Sequence, residues 1–73
     1  MAKYNWEPIE EMDLDDGTHT CYAAESGGFY IYLTQRADET WDIELKQKGV
    51  DGYSTQANCK TLTSAKRWAA RYL

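Results

Sequence analysis

Apolar and polar positions alternate with a period of two through residues 29–35 and again through 41–46. Phe29, Ile31 and Leu33 are separated by Tyr30, Tyr32 and Thr34, and Trp41, Ile43 and Leu45 by Asp42, Glu44 and Lys46. Successive side chains of a strand point to opposite faces, so the pattern predicts two half-buried strands. If Leu33 and Trp41 pair on the inner face, Ile31 faces Ile43 and Phe29 faces Leu45. That register requires a loop of odd length centred on Ala37, within residues 35–39. A slip of one residue would turn one strand's apolar set outward. The outer face then pairs Tyr32 with Asp42 and Tyr30 with Glu44, as solvent-side neighbours.

The flanking segments carry weaker patterns. Residues 18–25 read as a strand rich in Thr, Tyr and Cys, closed into a hairpin with 29–35 by Ser26-Gly27-Gly28. Before it, Asp15-Asp16-Gly17 reads as a turn. Tyr4 and Trp6 suit the start of an edge strand that Pro8 interrupts, and residues 10–12 suit a helical turn. After the second alternating segment, Gly49-Val50-Asp51-Gly52 is a turn cluster. Residues 53–60 then suit a short fourth strand with Tyr53, Thr55, Ala57 and Cys59 on one side.

The last segment changes period. Leu62, Ala65, Trp68 or Ala69, Tyr72 and Leu73 recur at three- and four-residue steps, the stripe of an amphipathic helix. Thr61 suits its N-cap, and Lys66, Arg67 and Arg71 lie where the helix dipole favours cations. The expected fold is α+β: an antiparallel meander of three to four strands, with one C-terminal helix packed across one face.

Composition sharpens this picture in three ways. Seventy-three residues are expected to form one domain, near the lower limit for a self-sufficient core, in which three Trp, six Tyr and one Phe supply much of the buried area. Any binding site is therefore expected on a surface or groove. No apolar run approaches a membrane span and no signal-like segment follows Met1, so a cytoplasmic protein is expected, with Cys21 and Cys59 as thiols. The net charge of −4 is unevenly laid out: residues 1–30 carry −6, 31–59 carry −2 and 60–73 carry +4. Residues 1–17 are an acidic front. A homodimer formed by edge-strand pairing would suit so small a core.

Several motifs touch on chemistry and stop short of it. The run from Asp13 to Thr18 resembles the D-x-D-G-T signature of haloacid-dehalogenase-type phosphotransferases, but an extra Asp breaks the spacing. Seventy-three residues also cannot supply the large α/β domain that this chemistry uses. A calcium loop of the EF-hand type needs twelve ligand-spaced residues between two helices, which are not evident. His19, Cys21 and Cys59 would gather only if the first and fourth strands were neighbours, and they lack the paired spacing of structural zinc ligands. With one His and no nucleophile motif there is no persuasive triad. No enzyme activity, cofactor or metal is expected.

Two resemblances bear on function. Gly52-Tyr53 followed by Thr61-Leu62-Thr63-Ser64-Ala65-Lys66 resembles the three-strand-plus-helix DNA-binding domains of integrase N-termini and AP2-type factors. Those families place bases on the sheet, whereas Asp42 and Glu44 stand there in this chain, and phosphate contact dominates such binding. More broadly, residues 28–73 resemble short, uncharacterised proteins of phages and prophages: an aromatic hairpin, a turn, then a T-L-x-x-A-K-x-x-A helix. That resemblance implies an accessory protein that works by binding, including inhibition of a host or defence protein.

The expected function is thus non-catalytic protein binding, with nucleic-acid binding through the basic helix as the alternative. The candidate surfaces are the acidic front (Glu7, Glu10, Glu11, Asp13, Asp15 and Asp16) and the outer sheet face (Tyr30, Tyr32, Asp42 and Glu44). Exposed Tyr beside carboxylates suits a protein interface. Six carboxylates within residues 7–16 are dense enough to imitate nucleic-acid phosphates toward a basic partner, or else simply to solubilise.

Overall fold

A computed structural model describes residues 4–9 and 20–73. The alternating segments form an antiparallel sheet whose strands follow in chain order, each bonded to the next. These are β1 (Glu7–Pro8), β2 (Cys21–Ser26), β3 (Phe29–Gln35), β4 (Trp41–Gln47) and β5 (Ser54–Cys59). One helix, α1 (Leu62–Tyr72), packs against β3, β4 and β5 from the inner face. The class is the α+β meander expected, with five strands where three to four were expected. The added strand is β1, with Glu7 opposite Ala23 and Pro8 opposite Tyr22. A proline is tolerated there because the strand lies at the sheet's edge. The turns expected over residues 10–12 and 15–17 lie outside the described residues.

The β3–β4 register keeps the expected faces and shifts the expected partners by two. Leu33 pairs with Ile43, Ile31 with Leu45, and Gln35 rather than Leu33 with Trp41. The loop is therefore centred on Asp38, not Ala37. Its chemistry explains the shift. The Thr40 N–H and hydroxyl both donate to Asp38 Oδ1, at 3.1 and 2.6 Å, and Glu39 N–H donates to the Arg36 carbonyl at 2.9 Å. Arg36 N–H then meets the Thr40 carbonyl at 2.8 Å, closing a three-residue turn that ends on Glu39 at φ 70°. Such a turn wants a left-handed residue at its last position. Turn geometry and side-chain bonds therefore chose among registers that the apolar pattern leaves equivalent.

Glutamate is an unusual occupant of that position, since a Cβ is strained at φ 70°. Glu39→Gly is expected to raise stability by about 0.5–1 kcal/mol, because glycine adopts the conformation without strain. Urea denaturation reads the gain; an unchanged or lower midpoint would refute it. By contrast, the tight β2–β3 turn already has glycine at its first central position, Gly27 at φ 54°.

The core lies between the sheet's inner face and α1. Ile31, Leu33 and Ile43 are fully buried at its centre, with Ala24 and Trp41 beside them. The helix meets this layer through Ala65 and Ala69, both with no exposed surface, so small side chains let its backbone approach closely. Thr61 caps it as expected, its hydroxyl oxygen accepting from Ser64 N–H at 3.1 Å. Leu62, Trp68 and Leu73 pack around the alanines.

Two expected core members fall outside. Tyr72 is 61% exposed because the buried line runs through 65, 69 and 73. Phe29 is 41% exposed: it pairs with Gln47 at the far end of the hairpin. Near β2 the inner face is filled by the N-terminal segment. Tyr4 is buried and meets Trp6 edge-on at 5.7 Å, while Tyr22 packs toward Trp41 at 6.0 Å beneath the ammonium of Lys66.

Candidate functional site

Register assigns the outer face row by row. Glu7, Ala23, Tyr32, Glu44 and Thr55 lie across the sheet in one line; Glu25, Tyr30 and Lys46 form the next line on one side, and Cys21, Thr34, Asp42 and Asn58 the line on the other. The helix packs on the opposite face. Expected site residues Glu7, Tyr30, Tyr32 and Glu44 therefore do share a face. Their pairing differs from expectation, since Tyr32 lies opposite Glu44 and Tyr30 opposite Lys46. Glu10, Glu11, Asp13, Asp15 and Asp16 lie outside the described residues.

A bulge brings in a residue that alternation assigns to the other face. Ala57 pairs with Ile43 and Thr55 with Glu44, so Gln56 is an extra residue in β5. One inserted residue reverses the facing of everything before it. Ala57 and Cys59 stay inward, as expected, while Thr55 and Tyr53 turn outward instead of sharing their side. Tyr53 meets Tyr32 edge-on at 5.3 Å, and Tyr30 lies 6.4 Å from Tyr32. The three rings form a continuous aromatic row, with Tyr53 58% exposed. Desolvation, and then the neighbouring phenols of Tyr53 and Tyr30, push the Tyr32 hydroxyl above its ordinary pKa, so it remains a neutral donor.

Asp42 proves to be a structural group. It was expected on the solvent side, yet it is only 8% exposed. Arg36 Nε donates to its Oδ2 at 2.6 Å and Asn58 Nδ2 to its Oδ1 at 3.0 Å. Asn58 also donates to the Thr40 hydroxyl at 2.9 Å, tying β5 to the hairpin loop. Desolvation raises the Asp42 pKa, but the bonds from Arg36 and Asn58 outweigh it and hold the carboxyl below its ordinary value.

A depressed folded-state pKa stabilises the fold above the unfolded value, near pH 3.9, and that contribution is lost as pH falls through the folded value. Asp42→Asn keeps the oxygen that accepts from Asn58 and removes the charge facing Arg36. The variant is expected to be less stable than the parent at pH 7 and to converge on it as pH falls through the parent's depressed folded-state pKa, where its carboxyl also becomes neutral. Thermal unfolding of both proteins across pH 2–7 measures this, and a constant gap would refute it.

The cysteines do not meet. Cys21 is buried on the outer face, its Sγ 3.7 Å from the Thr34 hydroxyl, whereas Cys59 packs into the inner core opposite Trp41. They sit three strand spacings apart on opposite faces, roughly 14 Å at about 4.8 Å per spacing, far beyond disulfide reach. The strand adjacency required for shared metal ligation is thus not found. Among the described residues no three His, Cys, Asp or Glu side chains converge. Burial, and to a smaller extent the charge of Glu44, pushes the Cys21 thiol up despite the Thr34 contact.

Beside the tyrosine row the face hollows out. Ala23 has a small side chain among larger neighbours, and Asn5, Glu7, Glu25 and Tyr30 surround the depression. Lys48 crosses its margin, paired with Glu25 and with its ammonium 5.1 Å from the Tyr30 ring centroid. None of Ala23, Glu25, Lys48 or Tyr53 stands out as a site residue in sequence; only the aromatic type of Tyr53 offered a signal. Among the described residues no helix is long and apolar enough to cross a membrane. Comparison with protein-family models, curated proteins and solved structures finds no match.

Proposed function

We propose that this chain is a non-catalytic protein-binding module that docks through the outer face of its sheet. The observation that carries this reading is the row of Tyr30, Tyr32 and Tyr53 on the face opposite the helix, flanked by Glu7, Glu25 and Glu44. Tyrosine supplies large, amphipathic contact area with few rotors, and aromatic anchors near an interface centre carry much of its energy. The resemblance to phage and prophage proteins makes the partner a cytoplasmic host or defence protein that this chain inhibits. Acidic residues 7–16 suit a partner with a basic surface.

Photo-crosslinking from position 53 in the cognate cell, followed by binding measurements on the purified pair, tests the reading. One partner protein is expected to cross-link, and Tyr53→Ala is expected to weaken the purified complex by tenfold or more, as an anchor residue would. A side chain already 58% exposed should change fold stability little on removal. Absence of a reproducible adduct, or full affinity in the Tyr53→Ala protein, would sink it.

The second reading is nucleic-acid binding by α1. It is favoured by exposed Lys60, Arg67 and Arg71, with the Arg71 guanidinium 5.5 Å from the Tyr72 ring, which lies tilted against Trp68 at 4.9 Å. It requires salt-sensitive retention of DNA or RNA that Arg67→Ala and Arg71→Ala weaken. No mobility shift at low salt excludes it.

A further inference from the structure

We propose that the hollow over Ala23 is a socket for an arginine side chain of the protein partner, held between the Glu7 and Glu25 carboxylates against the Tyr30 ring; this rests on the protein-binding reading. The floor is Ala23, whose methyl leaves open space between longer neighbours. Glu7 pairs with Ala23, and Ala23 is two residues from Glu25, so the two glutamates are diagonal neighbours on one face. Diagonal pairs stand about 7–8 Å apart at Cα, close enough for one planar guanidinium to engage both carboxylates. A tyrosine face beside the acids adds cation–π attraction and a stacking surface, which suits guanidinium better than ammonium.

The chain itself demonstrates this affinity for a cation. Lys48 reaches from the end of the β3–β4 ladder to pair with Glu25 and to place its ammonium over Tyr30. Lys48 thus already engages two of the groups that border the hollow. Its side chain is 34% exposed and that of Glu25 62%, so the pair is solvated and readily displaced. Glu7 is exposed and makes no ion pair with the described residues, leaving one carboxylate uncommitted. An incoming arginine would take Glu7, share or replace Lys48 at Glu25, and lie along Tyr30. The tyrosine row would meet the surface around it.

The test uses isotope-labelled full-length protein titrated, by amide NMR, with acetyl-Gly-Arg-Gly-amide and its citrulline and lysine counterparts. The arginine peptide is expected to give saturable shifts centred on Ala23, Glu25 and Tyr30, and the citrulline peptide none. Glu7→Gln is expected to weaken binding several-fold. Lys48→Met is expected to strengthen it by up to about fivefold, the worth of an exposed ion pair. Net charge alone would move the two variants in these same directions, so what separates a socket from a diffuse acidic surface is that the shifts saturate, centre on Ala23, Glu25 and Tyr30, and prefer arginine to lysine.

Equal shifts with citrulline, equal affinity for lysine, or shifts that never saturate would overturn the proposal. Failure here while the position-53 cross-link still forms removes the arginine socket and leaves the docking face standing. Failure of that cross-link with saturable arginine binding removes the docking face instead.

Discussion

Leu33→Ala is expected to cost about 3–4 kcal/mol of unfolding free energy, the range for emptying a fully buried aliphatic site whose walls cannot collapse. Leu33 has no exposed surface and pairs across the inner face with Ile43, which also has none. Strand neighbours on both sides fix the backbone, so the vacated volume remains as a cavity. Domains of this size are held by only a few kcal/mol, so the loss is a large part of the total. With a urea m-value of about 1 kcal/mol/M, the midpoint should fall by about 3 M or folding should fail outright. Phe29→Ala is the internal control, because Phe29 lies on the same strand and the same side but is 41% exposed. It should cost about 1 kcal/mol, reflecting partial burial. Equal losses for the two would mean that the helix-covered layer is not the core.

Ala69→Leu is expected to destabilise by about 1–3 kcal/mol, although leucine is nearly as good a helix former as alanine. Ala69 and Ala65 are fully buried where α1 meets the sheet, so three added carbons must push the helix off β3–β5 or force strained rotamers. Arg67→Leu, on the exposed side of the same helix, serves as the comparison and should shift stability by less than about 0.5 kcal/mol. Thermal unfolding of both variants decides the matter, and a neutral Ala69→Leu would show that the helix does not depend on close approach. Leu62, Trp68 and Leu73 surround the two alanines, so the contact cannot reorganise cheaply.

Some of the candidate site is legible in the sequence. Alternation places Tyr30, Tyr32 and Glu44 on one open face, because its period in β3 and β4 is strictly two and both strands obey it. Asp42 obeys it as well and still does not belong to the open surface. Its burial follows from Arg36 and Asn58, which reach it from the loop edge and from another strand, and no local pattern encodes that meeting. Alternation misplaces Tyr53 for a different reason. A bulge at Gln56 inserts one residue into the ladder, and a single insertion reverses facing while leaving no mark on composition. The hollow at Ala23 depends on β1 pairing with β2, a contact between segments of unlike pattern.

Sequence alone was enough for features in which each residue's role depends on near neighbours along the chain. The two strands of alternating residues, the Thr61 cap, the switch to a helical period after it and the α+β class belong here, since backbone geometry dictates periods of 2 and 3.6. Tertiary structure alone decided the centre of the β3–β4 loop, the place of Glu7–Pro8 beside β2, the burial of Asp42 and the tyrosine row. In each of these, several arrangements satisfy the same apolar pattern. The choice rests on bonds between groups far apart in sequence: Asn58 to Asp42, Glu7 beside Ala23, and Tyr53 against Tyr32. Hydrophobic burial is non-directional and selects a face, whereas hydrogen bonds and ring contacts are directional and select a register.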